Sequence, residues 1–321
     1  MIRVALLVVA GLLWMVRRSV AARTERGMLA RLPVGPDGII DGAAGLVRHA
    51  SGRRAVLILH GFGDTPQTVH YLADHLHELG FAVHAPLLPG HGRTLPEFGA
   101  SGAEAWLSAA ERELDALRQS FEFVGLVGVS MGGALSVILA ARPDLQARDA
   151  PPNAMSANQG ARWSPDAMVL LAPYLSMRPR ALRLAMLHWM ISPFARYLPS
   201  REEASIRDAT ERARNRGFGT VTPGLLAELR RVVDRAYRVL PGVRQPTLVI
   251  QSREDNRIDA AAATMSFERL GSAEKRFVWT EGGGHVITVD TGRERVLALT
   301  GDWLVHWADA AAGRSRSGPT G

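Results

Sequence analysis

From residue 53 to the last hundred residues, six short apolar runs of strand-like composition recur, each followed by a longer stretch with helical spacing. No other feature constrains the fold as strongly. The runs are AVLIL (55–59), FAVHA (81–85), FVGLVGV (123–129), AMVLLA (167–172), TLVIQ (247–251) and RFVWT (276–280). Near-continuous apolar runs of this length suit strands buried on both faces, and such strands pair in parallel. Parallel pairs need crossover helices, and segments 66–79, 103–119, 131–141, 260–270 and 293–309 carry the spacing for them. The pattern predicts an α/β fold with a mostly parallel central sheet flanked by helices. GIIDGAAGLVRHA (38–50) is expected to add a leading antiparallel hairpin.

One interval breaks the alternation. Between Ala172 and Thr247 lie about seventy residues divided by Pro193, Pro199, Pro223 and Pro241. A connection of that length is usually functional. It is expected to form a helical cap over 174–245, inserted between two late strands of a core made of 38–173 and 246–309. Within it, RLAMLHWMISPFARYL (183–198) carries apolar residues at helical spacing. Most of these are expected to pack the cap onto the core. Leu187, Met190, Ile191 and Phe194 are the candidates for an inner face lining an apolar substrate pocket. QARDAPPNAMSANQGARWSPD (146–166) reads as a surface loop without recognisable chemistry.

The chemistry centres on Gly128-Val129-Ser130-Met131-Gly132, which directly follows the third long run and opens a helical segment. A serine hydroxyl is a poor nucleophile unless it is lifted out of its backbone toward a base. A strained strand-to-helix elbow lifts it, and flanking glycines let neighbouring backbone come close. The pentapeptide alone leaves a second reading open, with Ser130 as a helix N-cap beside a glycine turn.

Three further segments bear on that choice. LILHGFGDT (57–65) is another strand running into a glycine loop. It makes the Phe62 amide a candidate oxyanion donor to pair with the amide of Met131. His60 ends the strand before that loop and is expected to shape it. Of the ten histidines, His285 stands in a glycine-rich loop, WTEGGGHVITVD (279–290), between the last strand and last helix. It is the candidate general base. LVIQSREDNRIDA (248–260) offers Glu254, Asp255 and Asp259 after a strand. Asp255 is the candidate acid that orients the imidazole, and Asp259 is expected to cap the next helix.

In these motifs, HGFGDT, APLLPGHG, GVSMGG, the acid after LVIQSRED and GGHVITVD, the sequence resembles the α/β-hydrolase family, and within it the bacterial carboxylesterases and monoacylglycerol lipases. The resemblance spans about residues 50–309. It implies Ser130, Asp255 and His285 as a catalytic triad, Phe62 and Met131 as oxyanion donors, and a cap that shapes an acyl pocket. The activity it implies is hydrolysis of carboxylic esters through an acyl-enzyme, with no cofactor and no metal. Acyl transfer or thioester cleavage by the same triad is the alternative, and a membrane-tethered binding module without turnover is a third reading. Dehalogenase or epoxide hydrolase chemistry would place an aspartate at position 130.

Composition narrows the partners. The chain has no cysteine, which excludes disulfides, thiolate metal sites and a cysteine nucleophile. Its 38 basic and 31 acidic residues give a formal charge of +7, and arginine supplies every basic residue except Lys275. The arginines form no run or stripe of the kind nucleic-acid binding requires, and the partner that the family resemblance implies is a small ester, with an apolar acyl chain expected from the apolar cap. MIRVALLVVAGLLWMVRRSVAAR opens the chain with an uninterrupted apolar run from Val4 to Val16. Thirteen residues fall short of the roughly 20 that span a bilayer comfortably. Residues 1–26 are expected to be an uncleaved membrane anchor, with a cleaved export signal as the alternative. Arginines after the run favour a cytoplasmic catalytic domain. Docking of this segment on the protein itself is disfavoured, because the run is apolar on all faces. Residues 310–321 are small and polar and are expected to be disordered.

Overall fold

The computed structural model describes residues 2–142, 164–200 and 205–316, so the predicted loop lies outside the described residues from 146 to 163. The chain opens with α1 (Ile2–Arg31), then β1 (Leu46–Arg48) and β2 (Arg54–Leu59). Next come α2 (His70–Glu78), β3 (Ala82–Ala85), α3 (Leu95–Ala100) and α4 (Ala103–Ser120). The elbow region is β4 (Phe123–Val129) and α5 (Met131–Ala140), followed by β5 (Ala167–Leu171). The cap holds α6 (Pro179–Met186), α7 (His188–Ile191), β6 (Leu198–Pro199), α8 (Ala209–Arg214), β7 (Thr220–Val221) and α9 (Pro223–Val239). The chain ends with β8 (Thr247–Ser252), α10 (Ala260–Glu268), β9 (Lys275–Thr280) and α11 (Arg293–Arg316).

Seven strands form one sheet in the order β1-β3-β2-β4-β5-β8-β9. Only β1 runs antiparallel to its neighbour. Each strand buries alternate residues on opposite faces. Leu57 and Leu59 of β2 join a cluster with α4 and α5, while Val56 and Ile58 face α2 and α11. A fully buried aliphatic side chain contributes roughly 2 kcal/mol, so the central strands hold the carboxyl ends of β4, β8 and β9 in fixed relation. The segments that carry Ser130, Asp255 and His285 leave from those ends.

Several elements differ from expectation. No leading hairpin forms over 38–50, because β1 pairs with β3, and Ile40 makes only an isolated bridge with Val34. The cap holds a two-stranded antiparallel pair, β6 with β7, as well as helices. Its longest helix, α9, buries Leu225, Leu229, Val232, Val233 and Ala236 in the core cluster that includes α5. The last helix runs to Arg316, so the first residues expected to be disordered continue α11, and 317–321 lie outside the described residues.

The N-terminal helix is the largest correction. It does not end at residue 26, and its second half docks on the cap. Arg17 Nε donates to the carbonyl of Ser192 (3.0 Å), and Tyr197 Oη donates to Glu25 (2.6 Å). Arg31 donates to the carbonyls of Gly217 and Phe218 (2.8 and 2.9 Å). Ala21 and Met28, seven residues apart on one helical face, are buried, as is Leu32 just past the end of the helix. The all-round apolar run stops at Val16, and the amphipathic stretch behind it does the docking. No helix among the described residues is long and apolar enough to cross a membrane.

Candidate active site

Ser130 stands between β4 and α5 with φ 53° and ψ −115°, in the positive-φ region that costs a residue with a Cβ of order 1–3 kcal/mol. Its amide donates to Leu171 O (3.0 Å), and its carbonyl accepts from the amide of Tyr174 (3.0 Å). The elbow closes because a glycine follows. A Cβ on Gly132 would lie 2.0 Å from the carbonyl oxygen of Leu59. Ser130 occupies the N-cap position of α5, yet its side chain makes no capping hydrogen bond. Its Oγ lies instead 2.8 Å from His285 Nε2. The Ser130 side chain is thus turned toward an imidazole and not toward the amides of its helix.

His285 Nδ1 is 2.8 Å from Asp255 Oδ2. An ionised carboxylate only accepts, so Nδ1 carries the proton and Nε2 is left to accept the Ser130 hydroxyl. Both partners are buried. Asp255 Oδ1 accepts the amides of Arg257 (2.7 Å) and Ile258 (3.0 Å), and Oδ2 also accepts Gln251 Nε2 (2.7 Å). Burial presses its pKa upward, but the charge and hydrogen bond of His285 and those two amides outweigh it. The carboxyl is held below its ordinary value.

The loop that carries His285 is pinned at several points. Ser252 Oγ donates to Gly283 O (2.5 Å), and Glu254 accepts the amide of Gly282 (3.1 Å). Asp290, fully buried, accepts four amides: Gly284 (2.6 Å) and Thr291 (2.8 Å) from the loop, Arg207 and Asp208 (both 2.8 Å) from the cap. Sequence reasoning assigned Asp290 no role, although it closes the WTEGGGHVITVD segment. Its only signal was an acid at the end of a strongly apolar stretch.

Met131 is the first residue of α5, where a helix amide has no intrahelical acceptor. Phe62 lies on the loop after β2 and, with Ser130, lines the same cavity. Its ring packs against Phe98 and Trp106, with centroids 5.4 and 5.7 Å away. His60 shapes this loop, as expected. The amide of Leu88 donates to its Nε2 (3.1 Å), so Nδ1–H donates to Gly61 O (2.9 Å), and burial lowers its pKa to about 4. Asp64, on the same loop, was missed. It lines the cavity and accepts from the amide of Thr65 and the hydroxyl of Thr68 (both 2.9 Å), and burial raises its pKa to about 6 against those bonds.

The cavity over Ser130 and His285 has a volume of about 740 Å³, within the range typical of small-molecule sites. Its apolar wall comes from the cap, through Ala181, Leu184, Leu198, Val221, Leu226 and Leu229. Ser200, Ser205, Asn215, Asn256 and Arg257 make a polar side. Leu187, Met190, Ile191 and Phe194 are absent from the wall, which corrects the sequence expectation. The predicted helix breaks at Leu187, which ends α6 and precedes α7, so the face extrapolated along continuous spacing turns outward. Leu187 borders a separate shallow depression, and Met190 and Phe194 are exposed. Among the described residues, no group of three or more His, Cys, Asp or Glu is arranged to hold a metal ion. Asp259 accepts from Arg178 and makes no capping bond to α10.

Residues 50–292 match the profile of the family described as Serine aminopeptidase, S33 (Hydrolase_4). The chain is 25% identical over 248 residues to a carboxylesterase of Bacillus subtilis (strain 168), covering 76% of this chain and 89% of that protein. It is also 25% identical over 248 residues to a thermostable monoacylglycerol lipase of Bacillus sp. (strain H-257), covering 77% and 88%. A solved structure from work on LipS and LipT, two metagenome-derived lipolytic enzymes, superposes with a TM-score of 0.71 at 26% identity, covering 85% of this chain and 99% of that one.

Proposed function

The chain belongs to the serine aminopeptidase S33 family of α/β-hydrolases, and from that premise we propose that it is a serine hydrolase cleaving carboxylic esters through an acyl-enzyme on Ser130. The observation that carries the reading is the continuous relay from Ser130 Oγ through His285 to Asp255, at 2.8 Å and 2.8 Å. His285 Nε2 takes the hydroxyl proton as Oγ attacks the ester carbonyl carbon, and the amides of Phe62 and Met131 hold the resulting oxyanion. The tetrahedral intermediate collapses, His285 returns the proton to the departing alcohol, and Ser130 keeps the acyl group. A water deprotonated by His285 then attacks the acyl carbon, and Ser130 leaves with the proton. Asp255, held ionised by its amide donors, orients the imidazole and stabilises the imidazolium.

The charge of the cavity supports an ester over the peptide substrate that the family's description suggests. An aminopeptidase must hold a free α-ammonium, which calls for an acid beside the scissile bond. The described wall carries Arg178, Arg180 and Arg257 against one carboxylate, Asp64, which is already engaged by Thr65 and Thr68. The two curated relatives named for ester substrates agree with this sign. A lining that combines aliphatic side chains with the hydroxyls and amides of Ser200, Ser205, Asn215 and Asn256 suits an apolar acyl chain joined to a polar alcohol, as in a monoacylglycerol. Membrane association through residues 4–16, with the catalytic domain on the cytoplasmic side, belongs to the same reading.

Profiling aryl esters of increasing acyl length, with monoacylglycerols and an amino-acid anilide alongside, tests the proposal. Ester turnover should dominate, and Ser130→Ala should lower kcat/KM by about four orders of magnitude or more. Retention of ester turnover within a few-fold in that variant would overturn it.

A further inference from the structure

The exposed apolar surface of the molecule is concentrated where the cap meets α1. On the cap tip, Trp189 is 66% exposed and Phe194 69% exposed, with Met186 and Met190 beside them in sequence and also exposed. None of the four lines the cavity. On α1, Leu12, Trp14, Met15 and Val16 are all about half exposed. The two patches adjoin, because the Arg17 side chain bonds the carbonyl of Ser192, between Trp189 and Phe194 in the chain. Isolated exposed apolar residues are ordinary, but contiguous ones mark an interaction site.

Charge is distributed in the same way. Segments 1–31 and 175–200 together hold ten of the 38 basic residues and one of the 31 acidic ones, Glu25. The remainder of the chain, left with 28 basic and 30 acidic residues, is slightly acidic. The whole positive excess of the protein therefore belongs to the two segments that carry the exposed apolar surface. Glu25 itself is turned inward, accepting from Tyr197 and paired with Arg196. Apolar side chains with tryptophan, set among arginines, are the chemistry that engages an anionic lipid surface.

We propose that the cap tip and the apolar half of α1 form one lipid-docking surface, with a bilayer bearing anionic headgroups as its partner. The apolar half of α1 extends roughly 20 Å beyond Arg17 at 1.5 Å per residue, too little to cross a hydrocarbon core of about 30 Å. Seated in one leaflet, it brings Trp189 and Phe194 to the interface, where aromatic side chains concentrate. The bonds from Arg17, Glu25 and Arg31 make α1 a part of the cap and not a loose tether. Membrane engagement then sets the orientation of the cavity toward the lipid from which an apolar ester would come. This inference rests on the ester reading only for that last consequence.

The test is co-flotation of the full chain with vesicles of phosphatidylcholine containing a minority of phosphatidylglycerol, comparing the parent with Trp189→Ser/Phe194→Ser. The double variant should bind vesicles at least tenfold more weakly while hydrolysing a water-soluble short-chain aryl ester at the parental rate. Binding to phosphatidylcholine alone should be several-fold weaker and should lose its dependence on salt. Parental vesicle binding by the double variant overturns the proposal, because α1 would then anchor the protein alone. A matching loss of soluble-ester turnover also overturns it, since the tip would belong to the substrate site. Equal binding to neutral and anionic vesicles removes the anionic partner. If the double variant changes only the oligomeric state in light scattering, the surface pairs two copies of the chain and the proposal fails. Ser130→Ala should float with vesicles as the parent does, so failure of the ester reading leaves this result standing.

Discussion

The floor and the roof of the cavity are built on different principles. The floor is made of strand ends and the loops that leave them, and its side chains are fixed by buried backbone amides: four on Asp290, two on Asp255. Its tolerances are those of backbone contact, as at Gly132 against Leu59. The roof is made of helices and a two-residue strand pair inserted between β5 and β8, and its wall consists of the aliphatic side chains of Ala181, Leu184, Leu198, Val221, Leu226 and Leu229. The floor is arranged for one geometry, whereas the roof is arranged for a class of surface. The same difference explains why the strand-end positions of Ser130, Asp255 and His285 were legible in the sequence while the expected wall residues Leu187, Met190, Ile191 and Phe194 were misplaced.

Substitutions separate the two regions by the size of their effects. Gly132→Ala attacks the floor at its least tolerant point. A methyl group there overlaps a carbonyl oxygen that cannot move without shifting β2, so a stability loss of about 3 kcal/mol or more is expected. Thermal denaturation and ester turnover should both collapse. Asp290→Asn is next. The amide oxygen can still accept, but its NH₂ group faces amide donors, so about 2–3 kcal/mol should be lost. Turnover should fall about tenfold, because the loop of His285 loosens from the cap. If kcat/KM is unchanged while the melting temperature drops, Asp290 is a structural residue without influence on the relay.

Asp64 offers a sharper measurement through pH. Its folded pKa, about 6, exceeds that of an unfolded aspartate, about 3.8, so the folded state binds the extra proton between those values. Stability from this group is present below the unfolded pKa and is lost as pH rises through about 6. Asp64→Asn removes the titration. Its melting temperature relative to the parent should therefore rise between pH 4 and pH 7.5, and a difference that stays constant with pH would remove Asp64 as a buried titrating group. The smallest effects are expected in the roof. Leu226→Ala, at a partly buried wall position, should shift the preferred acyl length by opening the apolar wall, with kcat/KM on short esters changing only a few-fold. Met190→Ala should leave the whole chain-length profile unchanged, and a shifted profile would restore Met190 to the pocket.

Much of the floor was readable because its signals are local. Strands β2, β3, β4, β5, β8 and β9 fall within a residue of the apolar runs, and for the central ones the reason is that a strand buried on both faces writes its length directly into hydropathy. Ser130, Asp255 and His285 each stand in a loop directly after such a run. Asp64 and Asp290 stand in the same loops and went unrecognised, because accepting backbone amides leaves no pattern of residue types to read. The strand β1 was misassigned to a local hairpin because its partner, β3, lies more than thirty residues away. The N-terminal helix misled in another way. Its apolar first half dominated the reading, and the sparse spacing of Ala21, Met28 and Leu32 behind it acquired meaning only once the cap surface was present to cover them.

By itself, then, the sequence determined the parallel sheet and the placement of Ser130, Asp255 and His285, in that order, each after a strand end, because periodicity and loop position are properties of neighbouring residues. The tertiary structure alone decided which side of the cap faces the cavity, that Asp290 joins the cap to the His285 loop, and that the N-terminal helix is part of the cap. Each of these depends on how segments far apart in the chain share one buried surface, and a break of helical register at Leu187 was enough to turn four expected pocket residues away from it.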